Sequence, residues 1–167
     1  MNNGRSRTPS YKGLTPASEV SSRVKRSTGA RNTVPELMLR RELWRLGLRY
    51  RANDRALPGR PDVVFTKAKV AVFCDGDFWH GREWEARRAK LERGWNAEYW
   101  MAKIGRNIER DQHTTELLEQ SGWWVIRLWE TDIKRDPPSA ARQVQQVVES
   151  RRQAQQQQQA PRHGDGG

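Results

Sequence analysis

From Thr33 onward the apolar positions fall at helical spacing. Leu39, Leu43 and Leu46 sit at i, i+4 and i+7, with Arg40, Arg41 and Arg45 outside the stripe. Thr33-Val34-Pro35-Glu36 opens this helix as a capping box with Pro in the first turn, and Gly47 suits its end. Glu36 therefore has a structural account as the reciprocal capping acid. Leu48 to Arg51 is a short extended segment, and a loop with a Pro58-Gly59 turn runs to Pro61. Val63–Phe65 and Lys69–Cys74 are almost continuously apolar. Strands of that kind are buried on both faces, which requires helices above and below the sheet. Folded at Lys67-Ala68, the two make a hairpin. Phe78 to Gly94 has no clean period and reads as loop or short helix. From Asn96 to Ser121 a long amphipathic helix places Ala97, Trp100, Met101, Ile104 and Ile108 on one face and Lys103, Arg106, Asn107 and Arg110 on another. Gly122 ends it, Trp123 to Glu130 is strongly β-prone, and Asp136-Pro137-Pro138 opens a last helix with Ala141, Val144, Val147 and Val148 inward. The order predicts an α/β fold, a central mixed β-sheet flanked by helices on both faces.

The ends differ from this middle. Residues 1–22 are rich in Ser, Thr, Gly, Pro and Asn and read as a disordered basic arm; residues 23–150 form one domain; residues 151–167 are a Gln-rich low-complexity tail. The 31 Lys and Arg outnumber 20 Asp and Glu, a net charge of +11. The arm and the tail carry +2 each, which leaves +7 on the folded part. That excess is the footprint of a protein that meets phosphates, although a solvated basic surface looks the same. The single cysteine, Cys74, rules out an intramolecular disulfide, and no Cys/His zinc spacing is present. No apolar run approaches the ~18 residues of a membrane span, so the chain reads as soluble, cytoplasmic and free of membrane.

Chemistry concentrates between Leu57 and His80, LPGRPDVVFTKAKVAVFCDGDFWH. A hairpin folded at Lys67-Ala68 brings Asp62 and Asp75 to the same end of the sheet. Paired carboxylates at strand ends hold a hard divalent cation such as Mg²⁺; the alternative is that Asp62 caps a turn and Asp75 starts a loop. Trp79, Trp84 and Trp95 lie in a very basic segment, which suits base stacking or intercalation, or else core packing. Cys74 has no adjoining histidine and lies on a buried strand, which argues against a thiol nucleophile.

The pieces NTVPE, LPGRPD, AVFCDGDFWH, YWMAKIGRNIERD and GWWVIRLWE, in that order, resemble the very-short-patch repair (Vsr) DNA mismatch endonucleases, of the PD-(D/E)XK-like nuclease superfamily. The resemblance covers about Ser22 to Glu149 and implies a restriction-endonuclease-like fold and a phosphodiester hydrolase acting on double-stranded DNA. It makes Asp62 the metal-binding carboxylate, has Cys74 contribute its backbone carbonyl to Mg²⁺, sets His80 near the attacking water or scissile phosphate, and has Glu36 orient a water on the metal. Phe78, Trp79 and Trp100 match aromatics that wedge beside a mismatch, and Lys103, Arg106 and Arg110 would hold the DNA backbone. The implied substrate is a T:G mismatch, nicked on one strand, with a monomeric enzyme and DNA-repair proteins as possible partners.

Two departures qualify this. Asp75 stands where some relatives have histidine, which suggests a second carboxylate on the metal. The structural zinc site of better-known members falls at Asp77, Arg82–Glu83 and Thr131, and one cysteine cannot build it, so no structural zinc is expected and the loop from Asp77 to Trp95 must be held by packing and ion pairs. The alternatives are a nickase of the same fold serving phage defence or restriction without mismatch selectivity, and a DNA-binding protein that does not cut.

Overall fold

The computed structural model describes residues 31–94 and 96–159. The arm at residues 1–22, its basic continuation at Arg23, Lys25 and Arg26, Trp95, and the tail from residue 160 lie outside the described residues. The elements are α1 (Val34–Arg45), β1 (Arg51–Ala52), β2 (Val63–Phe65), β3 (Val70–Asp75), α2 (Trp84–Leu91), α3 (Ala97–Gln120), β4 (Trp124–Trp129), α4 (Glu130–Arg135) and α5 (Pro137–Gln159). The strands form one sheet in the order β1-β2-β3-β4. The first two pairings are antiparallel, and β3 runs parallel to β4, with Val70 opposite Trp124 and Asp75 opposite Trp129. A parallel pair needs a long crossover, and α2 with α3 supplies it. The sheet is therefore mixed with helices around it, as the patterning predicts.

Alternation along the strands assigns the two faces. Val63, Phe65, Val70, Val72, Ile126 and Leu128 face a large core shared with α1, α4 and α5. Ala71 and Phe73 face the opposite way and pack with Leu118 of α3. Asp75 and Arg127 continue this second face, because residues two apart on a strand point the same way. The catalytic candidates thus emerge on the side covered by a single helix. No helix among the described residues is long and apolar enough to cross a membrane.

Several expectations are corrected. Arg40 is buried, at 7% exposure, because it is drawn inward by hydrogen bonds described below. Leu46 is exposed: the helix ends at Arg45, the chain turns at Gly47 (φ +77°), and Leu48 takes the core position instead. Thr33 does not cap a backbone N–H; its hydroxyl donates to Glu36 Oε1 (2.8 Å) while Asn32 N–H donates to Oε2 (3.0 Å). The extended segment after α1 pairs only at Arg51–Ala52. The Phe78–Gly94 stretch contains α2, and the short helix α4 follows β4 directly. Helix α5 runs past residue 150 through the Gln-rich stretch to Gln159, since its early turns are anchored in the core by Ala141, Val144 and Val148 and Gln propagates a helix well.

Candidate active site

The hairpin register fixes Asp62 one residue before β2. Its N–H donates to the Val72 carbonyl (2.9 Å), and Cys74 N–H donates to its Oδ2 (2.7 Å). The carboxylate is thereby held against the end of β3, where the paired-acid expectation placed it beside Asp75. Burial pushes the Asp62 pKa up to about 6, the Cys74 hydrogen bond pulls it down, and the neighbouring charges of Glu36 and Asp75 raise it against the pull of Arg40. Burial, with the adjacent Asp62, also pushes the Cys74 thiol well above its usual range, so it is no nucleophile at neutral pH. Arg40 ties the acids together. Its Nη2 donates to Glu36 Oε2 (3.1 Å) and to the Asp62 carbonyl (2.8 Å), and Nη1 donates to Asn32 Oδ1 (2.7 Å).

On the other side of Asp75 lies a network that sequence reasoning missed. Arg127, opposite Phe73 on β4, donates from Nε to Asp75 Oδ2 (2.6 Å) and from Nη2 to Oδ1 (3.0 Å). The same Nη2 lies 3.3 Å from Asp111 Oδ1. His80 Nδ1 is 2.5 Å from Asp111 Oδ2 and 3.6 Å from Asp75 Oδ1. Burial pushes the Asp111 carboxyl up, but the hydrogen bond and charge of His80, with Arg127 and Arg110, outweigh it and hold Asp111 below its ordinary range. A carboxylate on Nδ1 fixes the ring and leaves Nε2 for proton transfer.

His80 is brought there by a tight loop. Trp79 N–H and His80 N–H both donate to the Gly76 carbonyl (3.1 Å each), and Gly81 turns with φ +75°. A Cβ at Gly81 would run into Ile108 of α3, and one at Gly59 (φ +72°), beside Asp62, into Thr114 of the same helix. Both positions therefore demand glycine for space as well as for φ. Asn107 Nδ2 donates to the Trp79 carbonyl (3.1 Å). Phe78, Trp79 and Trp100 meet edge-on or tilted at centroid distances of 5.1–5.9 Å, with Lys103 Nζ 4.9 Å from the Trp79 ring. Behind this cluster Arg82 bridges Asp77 and Asp132 (3.1 Å each), Thr131 hydroxyl donates to Asp77, and Arg135 pairs with Asp132 (3.1 Å). The positions that the resemblance assigns to zinc carry ion pairs.

A cleft of about 660 Å³ joins these parts, lined by Glu36, Asp62, Cys74, Asp75, Phe78, Trp79, His80 and Arg110, along with Asn107, Asp111 and Arg127. Trp100 and Lys103 stand on the aromatic cluster outside it, and Arg106 lies along a separate groove between α2 and α3 with Trp84 and Met101. The basic stripe on α3 is thus split. Two signals pointed to the missed residues. Asp111 follows Ile104 by seven positions and Ile108 by three, so it sits on the apolar stripe, where an acid needs a partner. Arg127 interrupts a buried strand, which a charge does only when paired.

Among the described residues no three His, Cys, Asp or Glu side chains form a closed metal cage. Mg²⁺ does not need one. It is commonly held by one or two carboxylates, with waters and substrate phosphates completing the shell. Asp62, half-buried, without a cationic partner on its carboxylate among the described residues and hydrogen-bonded to the Cys74 N–H, fits that donor chemistry.

Comparison with known proteins identifies the family. The family model described as "DNA mismatch endonuclease Vsr" matches residues 15–86. The "Type II nicking enzyme V.NmeDIP" of Neisseria meningitidis serogroup C is 45% identical over 135 residues, 81% of this chain and 88% of that protein. The "Type II nicking enzyme V.HpaIIP" of Haemophilus parainfluenzae is 38% identical over 128 residues, covering 77% and 89%. The "DNA mismatch endonuclease Vsr" of Escherichia coli (strain K12) is 35% identical over 109 residues, covering 65% and 68%.

Proposed function

The chain belongs to the Vsr family of DNA endonucleases, and from that premise we propose that it nicks one strand of duplex DNA at T:G mismatches, as a monomer, with Mg²⁺ as the metal. The observation that carries this is the pairing, in one cleft, of a carboxylate-oriented histidine with Asp62 beside a half-buried aromatic cluster.

Asp62 and the Cys74 carbonyl would hold the metal, which when bound supplies positive charge at the scissile phosphate and acidifies a water. His80, fixed through Nδ1 by Asp111, moves a proton at Nε2. Glu36 lines the cleft; its oxygens already accept from Thr33, Asn32 and Arg40, and their remaining lone pairs orient a water. Asp75 is the weaker metal ligand of the two aspartates, because the two-pronged pair with Arg127 neutralises its charge; its part is to hold Arg127 beneath Asp111. Arg110 and Lys103 hold the phosphate backbone, with Arg106 on the flank. Phe78, Trp79 and Trp100 enter the base stack, which a mismatch weakens and so makes cheaper to open.

A second reading is a nickase without mismatch selectivity. The ion pairs at the zinc positions and the relatives' designation as type II nicking enzymes favour it. The two are separated by incubating matched duplexes that differ only in T:G versus C:G with the protein and Mg²⁺, beside Asp62→Ala. Selective nicking of T:G that disappears in the variant supports mismatch cleavage; equal nicking of both moves the protein to the second reading.

A further inference from the structure

A second concave surface lies at the far end of the sheet from the cleft. It is a groove of about 340 Å³ lined by Arg49, Arg51, Lys67 and Arg152, with Tyr50 and Thr66, and it has no acidic residue in its wall. The hairpin turn at Thr66–Lys69 forms its floor, whereas Asp75 and the catalytic network lie at the opposite end of β3. Five residue-to-residue steps of strand lead from Val70 to Asp75, about 17 Å at 3.3 Å per step.

Elsewhere in the fold, Arg40, Arg82, Arg88, Arg110, Arg127 and Lys134 each pair with a carboxylate. None of the four groove cations is in an ion pair among the described residues; Arg49 lies over the Trp44 ring, 3.6 Å from its centroid, and donates only to the Trp44 carbonyl. Arg60, Arg87 and Arg142 also make no ion pair among the described residues, but the groove's four cations are gathered around one hollow. Four cations around one hollow repel one another, and a polyanion removes that repulsion while releasing counterions. The four come from the β1 edge, the hairpin turn and α5, so the fold itself converges them.

We propose that this groove is a second DNA-binding site, which grips backbone phosphates of duplex lying outside the catalytic cleft. In a family that cuts DNA the phosphate backbone is the polyanion at hand, and a grip about 17 Å from the cleft engages long DNA but not a fragment that only fills the cleft. The proposal rests on the endonuclease assignment and is independent of mismatch selectivity.

The test is the variant Arg51→Glu/Lys67→Glu/Arg152→Glu, compared with the unaltered protein on duplexes of about 8 base pairs, which reach only ~14 Å either side of a central nick, and about 40 base pairs. Single-turnover nicking of the short duplex at saturating protein stays unchanged, which reports an intact cleft and fold. Affinity for the long duplex falls, and its log–log salt dependence becomes shallower by about 2–3, close to 0.9 for each phosphate that the groove no longer neutralises. An unchanged slope on long DNA overturns the proposal and leaves an acidic protein as the surface's partner. An equal loss on both lengths also overturns it, since the groove then acts only through the overall field. Lys67→Glu alone, at an exposed turn, repeats the comparison if the triple variant fails to fold, with a slope change of about 1.

Discussion

Arg127 and Arg82 each bridge two aspartates and are exposed to nearly the same degree, but the acids they hold lie at different depths. Arg127 joins Asp75, which is 4% exposed, to Asp111 under His80. Arg82 joins Asp77 to Asp132, on the rim where the aromatic loop meets α4. A charge pair beneath a core strand fails badly when one partner is removed, because the other remains buried; a rim pair is hydrated either way. The Asp75–Arg127–Asp111 network is therefore anchored in the sheet, and the aromatic loop is fastened by a clasp that salt can loosen.

Predictions follow this gradient inward to outward. Asp62→Asn should lower nicking by about 10³-fold or more, in single-turnover kinetics, by removing the metal-holding charge. The same variant should be more stable at pH 7.5. A folded pKa raised to about 6 means that the folded protein binds its proton more tightly than the unfolded chain, so stability falls as pH rises from about 4 to about 6. Denaturant melts should show a gain of up to about 3 kcal/mol above that window and almost none below it. Divalent cation should stabilise the unaltered protein above pH 6 and lose that effect below about 5.

Asp111→Asn should cost about 10²-fold in kcat with little change in KM, since it frees the His80 ring without touching substrate. Because Asp111 is held below its ordinary range, its contribution to stability is full above about pH 4 and is lost as pH falls further. Arg127→Met should destabilise by about 3–5 kcal/mol in chemical denaturation, with Asp75→Asn/Arg127→Met recovering much of the loss. If the single variant melts like the unaltered protein, the contrast between the two arginines is wrong. Arg82→Ala should leave the denaturation midpoint almost in place, yet narrow the ratio of T:G to C:G nicking; in the unaltered protein, salt raised from about 0.05 to about 0.5 M should narrow it the same way.

The mixed sheet, the hairpin and the long α3 were legible because continuous apolar strands and a clean helical period leave few alternatives. That Asp62 and His80 lie along one cleft was legible from the sequence around the hairpin and from resemblance. Arg40 was misplaced because periodicity counts a charge as outward, whereas three oxygen acceptors drew this one in. Arg127 and Asp111 are 16 positions apart, and no local pattern shows that β4 lays one beneath the other. Helical spacing alone sets Lys103, Arg106 and Arg110 on one stripe; the real helix turns Arg106 toward α2.

Helix α3 touches both walls of the cleft where no side chain can intervene, Gly59 against Thr114 and Gly81 against Ile108. It works as a gauge block: the separation of Asp62 from His80 is set by how far apart two points lie on one rigid rod. Changing a residue on either wall tunes one side, while bending or sliding the rod resets both. Engineering that aims to alter which bases are recognised should therefore vary the aromatic loop and leave those two glycines and the α3 side chains beneath them untouched.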